Sequence, residues 1–242
     1  MLILNLGCGN KTCSSKEVIS IDWSISLVLK KNFFLRTIFS KLLSKDRVKK
    51  INKLPNNIIV HNLKKGIPFE NNSVDAVYHS HLLEHLDRSN VRCFLMEVFR
   101  VLKPNGIQRI VVPDLYLLCK SYIDNYEQCI LKNDMSESHD DFISAILEQS
   151  VRKEAYGSSK QNKIMRIIEN TILGDARKRG ETHQWMYDKF NLSKILKEIG
   201  FKDIKVQTFA NSDISNWTKY RLDLDEKDRE YKSGSLYLEA RK

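Results

Sequence analysis

Short, unbroken apolar runs alternate along this chain with longer stretches of helical spacing, and that alternation leaves few folds open. A strand buried on both faces reads as a continuous apolar run, and parallel strands need crossovers long enough to bring the chain back to the same edge. Met1 to Leu6 is the first run, and it goes straight into Gly7; Val18 to Ile21 is the second, ending at Asp22. Ile58 to Val60 and Val74 to Tyr78 follow, separated by a turn at Lys64-Lys65-Gly66 and Pro68. Arg88 to Leu102 then places Val91, Phe94, Leu95, Val98 and Leu102 on one helical face, and Pro104-Asn105-Gly106 predicts its stop before a strand from Ile107 to Val112. Leu192 to Ile199 reads as a helix ended by Gly200, after which Ile204 to Phe209 and Leu236 to Ala240 read as strands separated by a polar, acid-containing loop. The expectation is a doubly wound α/β sheet, mostly parallel, in a single domain spanning 1–242, with ligands at the carboxyl ends of its strands.

Composition supports one sizeable core: 242 residues, 42% apolar, with only 4 Pro and 9 Gly. Cys8, Cys13, Cys93, Cys119 and Cys129 are odd in number and contain no C-x-x-C pair, so they fit neither a disulfide framework nor a zinc ribbon and read as reduced thiols. With no apolar run of about 18 residues and no leader pattern, the expectation is a cytoplasmic protein. Two stretches stand apart. Residues 25–53 carry Leu27, Val28, Phe34, Leu35, Ile38, Phe39, Leu42 and Leu43 at helical spacing. Nine Lys or Arg lie there against one acid, Asp46, so eight of the net +10 charges fall in this segment. It reads as a basic amphipathic helix that covers the sheet, lies peripherally on an anionic membrane, or meets nucleic acid. Residues 115–182 are helical but polar, with Phe142, Ile146, Val151, Ile164, Ile167 and Ile168 as apolar positions, and read as an inserted helical cap.

The loops at the strand ends carry the chemistry. LNLGCGNK, Asn5 to Lys11, ends a strand at Gly7-Cys8-Gly9, where missing side chains let backbone N–H groups approach a ligand. Asp22 ends the next strand, where a carboxylate can accept both hydroxyls of a ribose. The strings VHNLKKGIPFENNSVDAVYHSHLLEHL and EVFRVLKPNGIQRIVVPD complete the set. Together they resemble class I methyltransferases of the type 11 family, over the first 115 residues and again at GETHQWMYDKFNLSKILKEIGFKDIKV and SLYLEARK. The resemblance implies a Rossmann-like sheet of seven strands, the last antiparallel, and S-adenosylmethionine as cofactor. It places the methionine end of that cofactor at Leu6, Gly7, Cys8 and Gly9, the ribose at Asp22, the adenine against Trp23 and beside Asn62 and Leu63, and the methionine or substrate at Ser80 and His81. Asn62 stands where many relatives have Asp, so an amide oxygen replaces a carboxylate as acceptor.

Methyl transfer needs in-line placement of nucleophile and sulfonium, with a base only if the nucleophile is a hydroxyl. His81, His85, Asp114 and His183 are the candidate bases by type or position. His81-Leu82-Leu83-Glu84-His85 also matches the H-x-x-E-H pattern of inverted zinc proteases, but zinc needs a third ligand that nothing in the sequence singles out, and no metal is expected. The expected acceptor is a small polar molecule such as a sugar or glycan hydroxyl, with the cap shaping its pocket and Tyr116, Tyr122, Tyr126 and Trp185 available to stack on a ring. Nucleic acid is the main alternative partner, although the fourth strand ends in YHSH rather than the Pro-Pro-aromatic sequence of base-amino methylation, and no Pro-Cys nucleophile occurs. A non-catalytic scaffold of the same fold is the other alternative. The oligomeric state stays open.

Overall fold

The computed structural model describes residues 1–32, 45–132, 139–150 and 182–242. Seven strands form one sheet: β1 Ile3–Leu6, β2 Val18–Asp22, β3 Ile58–Val60, β4 Val74–Ser80, β5 Leu102–Pro113, β6 Lys202–Gln207 and β7 Ser235–Arg241, in the order β3-β2-β1-β4-β5-β7-β6. Strands β1 to β5 pair in parallel, and β7 runs antiparallel to both β5 and β6, as the sequence led us to expect. The described helices are α1 Ile25–Lys31, α2 Lys45–Lys53, α3 Arg88–Val101, α4 Leu115–Lys132, α5 His139–Gln149 and α6 Lys189–Ile199.

Alternation along the strands sorts side chains to two faces. Leu4, Leu6, Val77, Ile110 and Leu238 point to one, where Val91, Leu95 and Val98 of α3 and Leu192 and Leu196 of α6 bury against them. Each such aliphatic side chain contributes about 2 kcal/mol of transfer free energy. The α6 start is fixed by a reciprocal cap, Asp188 accepting from the Asn191 N–H while the Asn191 side chain accepts from the Asp188 N–H, and its end by Gly200 at φ +115°. Ile3, Ala76, Tyr78, Val111 and Tyr237 point to the other face. Among the described residues that face is covered largely without a helix: Ile214, Trp217, Tyr220 and Leu222, around a 3-10 turn at Trp217–Tyr220, lie buried on it. This segment was expected as a polar loop, because its buried residues are spaced irregularly among charges and carry no helix or strand period.

A buried ion cluster locks that cover in place. Arg109 of β5, fully buried, donates from Nε to Asp223 at 2.8 Å, from one terminal nitrogen to Glu239 at 2.7 Å and to the Asn211 carbonyl at 3.0 Å, and from the other to the Thr208 carbonyl at 2.7 Å. Asp223 also accepts from the Tyr78 hydroxyl at 2.6 Å and the Trp217 indole N–H at 2.7 Å.

Element boundaries differ from expectation in several places; β6, expected at Ile204 to Phe209, lies at Lys202–Gln207. The α3 helix stops at Val101, and β5 already begins at Leu102, passing Pro104-Asn105-Gly106 as an irregularity in its pairing with β4, with Asn105 at φ +63°. Residues 25–53 do not form one continuous helix: the backbone leaves α1 at Asn32, whose conformation is extended, and α2 is a separate helix. Residues 33–44 lie outside the described residues. Lys30 Nζ donates to the carbonyls of Asn52, in the last turn of α2, and of Leu54 just past it, and Lys31 Nζ to that of Ile58, so these two charges are used inside the protein. In the expected cap, α4 and α5 pack on one another, whereas Val151, Ile164, Ile167 and Ile168 lie outside the described residues. All five cysteines are free, and no described helix is long and apolar enough to cross a membrane.

Candidate active site

Strands β1 and β4 are neighbours, but β2 and β3 lie beyond one and β5 to β7 beyond the other. A crevice opens at the carboxyl ends of strands where the order reverses in this way. Here it is a cleft of about 570 Å³, bounded by Gly7 to Lys11 after β1, by Ser80, His81 and His85 around the end of β4, by Gln149 and His183, and by Tyr231 to Ser233 ahead of β7.

The glycine turn forms its floor. Gly7, at φ +62°, donates its N–H to the Ile21 carbonyl at 2.8 Å, and a Cβ there would stand 2.7 Å from Leu82 Cδ1, so a larger residue would force both backbone and neighbour to move. Gly9, at φ +53°, faces open space and donates its N–H to Asp22 Oδ2 at 2.6 Å, while the Trp23 N–H donates to Oδ1 at 2.5 Å. Asn5, buried in β1, donates from Nδ2 to the Lys11 carbonyl at 2.8 Å and closes the loop. Burial pushes the Asp22 carboxyl above its ordinary range, more than the two N–H donors pull it down. Burial, reinforced by the Asp22 charge, pushes the Cys8 thiol up to about 12, so it stays protonated and inert.

Histidines form the opposite wall. His81 sits in left-handed backbone conformation, φ +50°, with Nε2 2.9 Å from Ser235 Oγ and Nδ1 3.1 Å from Glu84 Oε1. His85 Nδ1 lies 3.3 Å from the Thr182 carbonyl, and His183 Nδ1 lies 2.8 Å from that of Gln149. A carbonyl only accepts, so both rings carry a proton on Nδ1, and in the neutral imidazole Nε2 is then the free lone pair. Burial holds the His85 imidazole below its ordinary range against the pull of Glu84. His85 is therefore neutral near pH 7. The His183 segment is tied to this wall by the Gln184 N–H, which donates to the Glu84 carbonyl at 2.6 Å.

The structure thus gathers Gly7, Cys8, Gly9, Ser80, His81, His85 and His183 in one cleft, with Asp22 joined to it through Gly9. The other candidates lie elsewhere. Leu6 is buried in the core, and the Trp23 side chain is exposed. Asn62 caps the turn Leu63–Lys65, accepting from the Lys64 N–H at 3.0 Å, and Leu63 lines a separate small pocket with Gly66, Leu86 and Phe94. Asp114 accepts from the Tyr116 N–H at 3.0 Å at the start of α4, a capping role. Tyr116 is exposed, Tyr122 stacks on Tyr126, and the Trp185 ring carries the Arg88 guanidinium at 4.2 Å. Sequence reasoning missed Asn5, Lys11, Gln149 and Tyr231. Asn5 alone left a trace, as a polar residue inside an otherwise apolar strand.

The sequence model of the methyltransferase domain family matches residues 4–110, which runs from β1 into β5 and includes both walls of the switch-point crevice up to His85. Residues 4–110 are thus similar to a methyltransferase domain. That likeness points to S-adenosylmethionine as cofactor, and the open Gly9 position beside the Asp22 carboxylate offers the cradle such a ligand needs. The chain's sheet order, with β7 antiparallel, is the Rossmann-like arrangement the resemblance implied. Similar solved structures include a SAM-dependent methyltransferase from Archaeoglobus fulgidus, at 15% identity and TM-score 0.42, covering 99% of this chain and 85% of that one. Another, from Methanosarcina mazei, has 16% identity and TM-score 0.44, covering 99% and 91%. A third, from Mesorhizobium loti, has 14% identity and TM-score 0.42, covering 100% and 90%. No curated protein matches the sequence.

Proposed function

We propose that this methyltransferase transfers a methyl group to a hydroxyl of a small polar acceptor, a sugar or glycan precursor being the favoured class. The carrying observation is the pairing of two walls across one cleft: a glycine turn held by Asp22 on one side, and neutral, Nδ1-protonated His85 with His183 on the other. The cofactor, when bound, supplies an activated methyl on its sulfonium. Gly7 and Gly9 leave room for the methionine end, and the Asp22 carboxylate, turned toward the Gly9 N–H, accepts from ribose hydroxyls. Trp23 offers its exposed ring to the adenine. The bare Nε2 of His85 or His183 takes the proton that an acceptor hydroxyl loses as it is methylated. His81, engaged by Ser235 and Glu84, positions the wall. The polar lining of the cleft, with Asn5, Lys11 and Ser233, suits a hydroxyl-bearing ring better than an apolar substrate.

Mass spectrometry of glycans from a strain lacking this gene tests the acceptor. The reading expects one O-methyl group to vanish and to return with the wild-type gene but not with a His85→Ala, His183→Ala double variant. An unchanged methylation pattern contradicts the sugar assignment.

A further inference from the structure

The H-x-x-E-H pattern lacked a third metal ligand in the sequence; the fold gathers a different set, in which His183 joins Glu84 and His85 and His81 is not a ligand. Glu84 and His85, in the 3-10 turn Leu83–His85, meet His183 from the far end of the insertion, and one ligand atom from each lies within 4.8 Å of the others. Among the described residues, this group alone gathers three such side chains.

We propose that Glu84, His85 and His183 bind one borderline divalent transition ion of the zinc class at the wall of the cleft. Three independent features support it. First, both histidines are held through Nδ1 by backbone carbonyls, Thr182 for one and Gln149 for the other, which is how metal-binding imidazoles are oriented and their Nε2 lone pairs kept free. Second, Glu84 is 1% exposed, yet neither carboxylate oxygen receives a hydrogen bond of good geometry; Oε1 sits 3.1 Å from His81 Nδ1, off the bonding direction, and 4.0 Å from His85 Nε2. A buried carboxylate without donors costs several kcal/mol unless a positive partner answers it. Third, the site is open on one side: His85 and His183 line the cleft while Glu84 lies buried behind them.

Two imidazoles and one carboxylate with an open position make a catalytic rather than a structural donor set, and they favour zinc-class ions over Mg2+, which prefers six oxygens. The site rests on the ligand geometry alone. A bound ion would occupy the Nε2 lone pairs of His85 and His183 and so replace their role as base in the acceptor reading above, with the acceptor oxygen taking the open position.

The test is metal analysis of the untagged full-length protein. Chelator-stripped protein is titrated with Zn2+, Co2+ and Mg2+ and dialysed, and bound metal is counted by mass spectrometry, with S-adenosylhomocysteine affinity measured in parallel as a check on the fold and cofactor site. The proposal expects one equivalent of Zn2+ or Co2+, a Co2+ spectrum typical of nitrogen and oxygen ligands in low coordination number, and little Mg2+. Losing a supporting partner of a metal ligand typically weakens binding about 10- to 100-fold, so His183→Ala or Glu84→Gln, which remove a ligand itself, should weaken it by at least about 100-fold. A Co2+ spectrum without imidazole ligation, metal binding unchanged in both variants, or no bound metal in wild-type protein that still binds S-adenosylhomocysteine each overturns it. Should His183→Ala fail to fold, Glu84→Gln and the wild-type Co2+ spectrum decide the matter. Metal bound by a protein that fails to bind S-adenosylhomocysteine supports the site and removes the methyl-transfer reading instead.

Discussion

Replacing Arg109 by Met removes one buried cation while keeping most of the stem volume, and the cost can be worked from its partners. The guanidinium makes four hydrogen bonds, two to the buried carboxylates of Asp223 and Glu239 and two to the carbonyls of Thr208 and Asn211. Each carboxylate keeps other donors, Tyr78 and Trp217 for Asp223, and Gln207, Ser212 and the Asp213 N–H for Glu239. The charges therefore remain solvated by dipoles but lose their counterion. Breaking a buried ion pair by deleting one partner costs about 3–5 kcal/mol. A single domain holds about 5–15 kcal/mol in total, so the loss should appear as a fall in Tm of roughly 10 °C at this chain length. Urea unfolding followed by circular dichroism reads it directly as a lower midpoint with an unchanged slope. Arg109→Lys should lose most of the same stability, because an ammonium cannot reproduce the fork. The triple variant Arg109→Met, Asp223→Asn, Glu239→Gln should recover much of it. A change below about 1 kcal/mol for Arg109→Met would refute the reasoning, since it would mean that the cluster does not hold residues 208–223 on the sheet.

Three further outcomes follow from the cleft. Gly7→Ala, placing a Cβ 2.7 Å from Leu82 at φ +62°, should cost about 2 kcal/mol by thermal melting, whereas Gly9→Ala, with open space around it, should cost only about 1 kcal/mol yet weaken S-adenosylhomocysteine binding. Because burial raises the Asp22 carboxyl, the fraction ionised, and with it cofactor affinity, should begin to fall on acidification at a higher pH than an ordinary aspartate near 3.8 would give; calorimetry across pH 4–7 shows the onset, and a flat profile down to pH 4 contradicts it. Iodoacetamide at pH 8 should label exposed Cys93 and Cys119 and leave Cys8, with its thiol near 12, unmodified in peptide mapping.

The parts of the fold legible in the sequence were those with a clean period. The apolar strands β1, β2, β4 and β5 and the α3 face of Val91, Phe94, Leu95 and Val98 fall where the pattern put them, give or take the ends. The cover over the second face was illegible, because Ile214, Trp217, Tyr220 and Leu222 are held by a non-local ion cluster and not by a repeat. The same logic divides the site. Gly7, Gly9 and Asp22 announce themselves by residue type at strand ends, a local signal. The meeting of Glu84 and His85 with His183, nearly a hundred residues later, depends on how the chain returns past Thr182, and local spacing carries no trace of it. Asn62 shows the converse: its position was readable, yet its side chain caps the turn that follows β3 and does not line the cleft.

The central claim is that the Gly7-Cys8-Gly9 turn and Asp22 hold S-adenosylmethionine, and calorimetric titration of the purified protein with S-adenosylmethionine and S-adenosylhomocysteine, beside Asp22→Ala, tests it most directly. The account predicts micromolar binding of both ligands by the wild type and at least about tenfold weaker binding by the variant, the equivalent of about 1.4 kcal/mol for lost charge-assisted hydrogen bonds. Absence of binding by wild-type protein at millimolar ligand, or equal binding by Asp22→Ala, would contradict it.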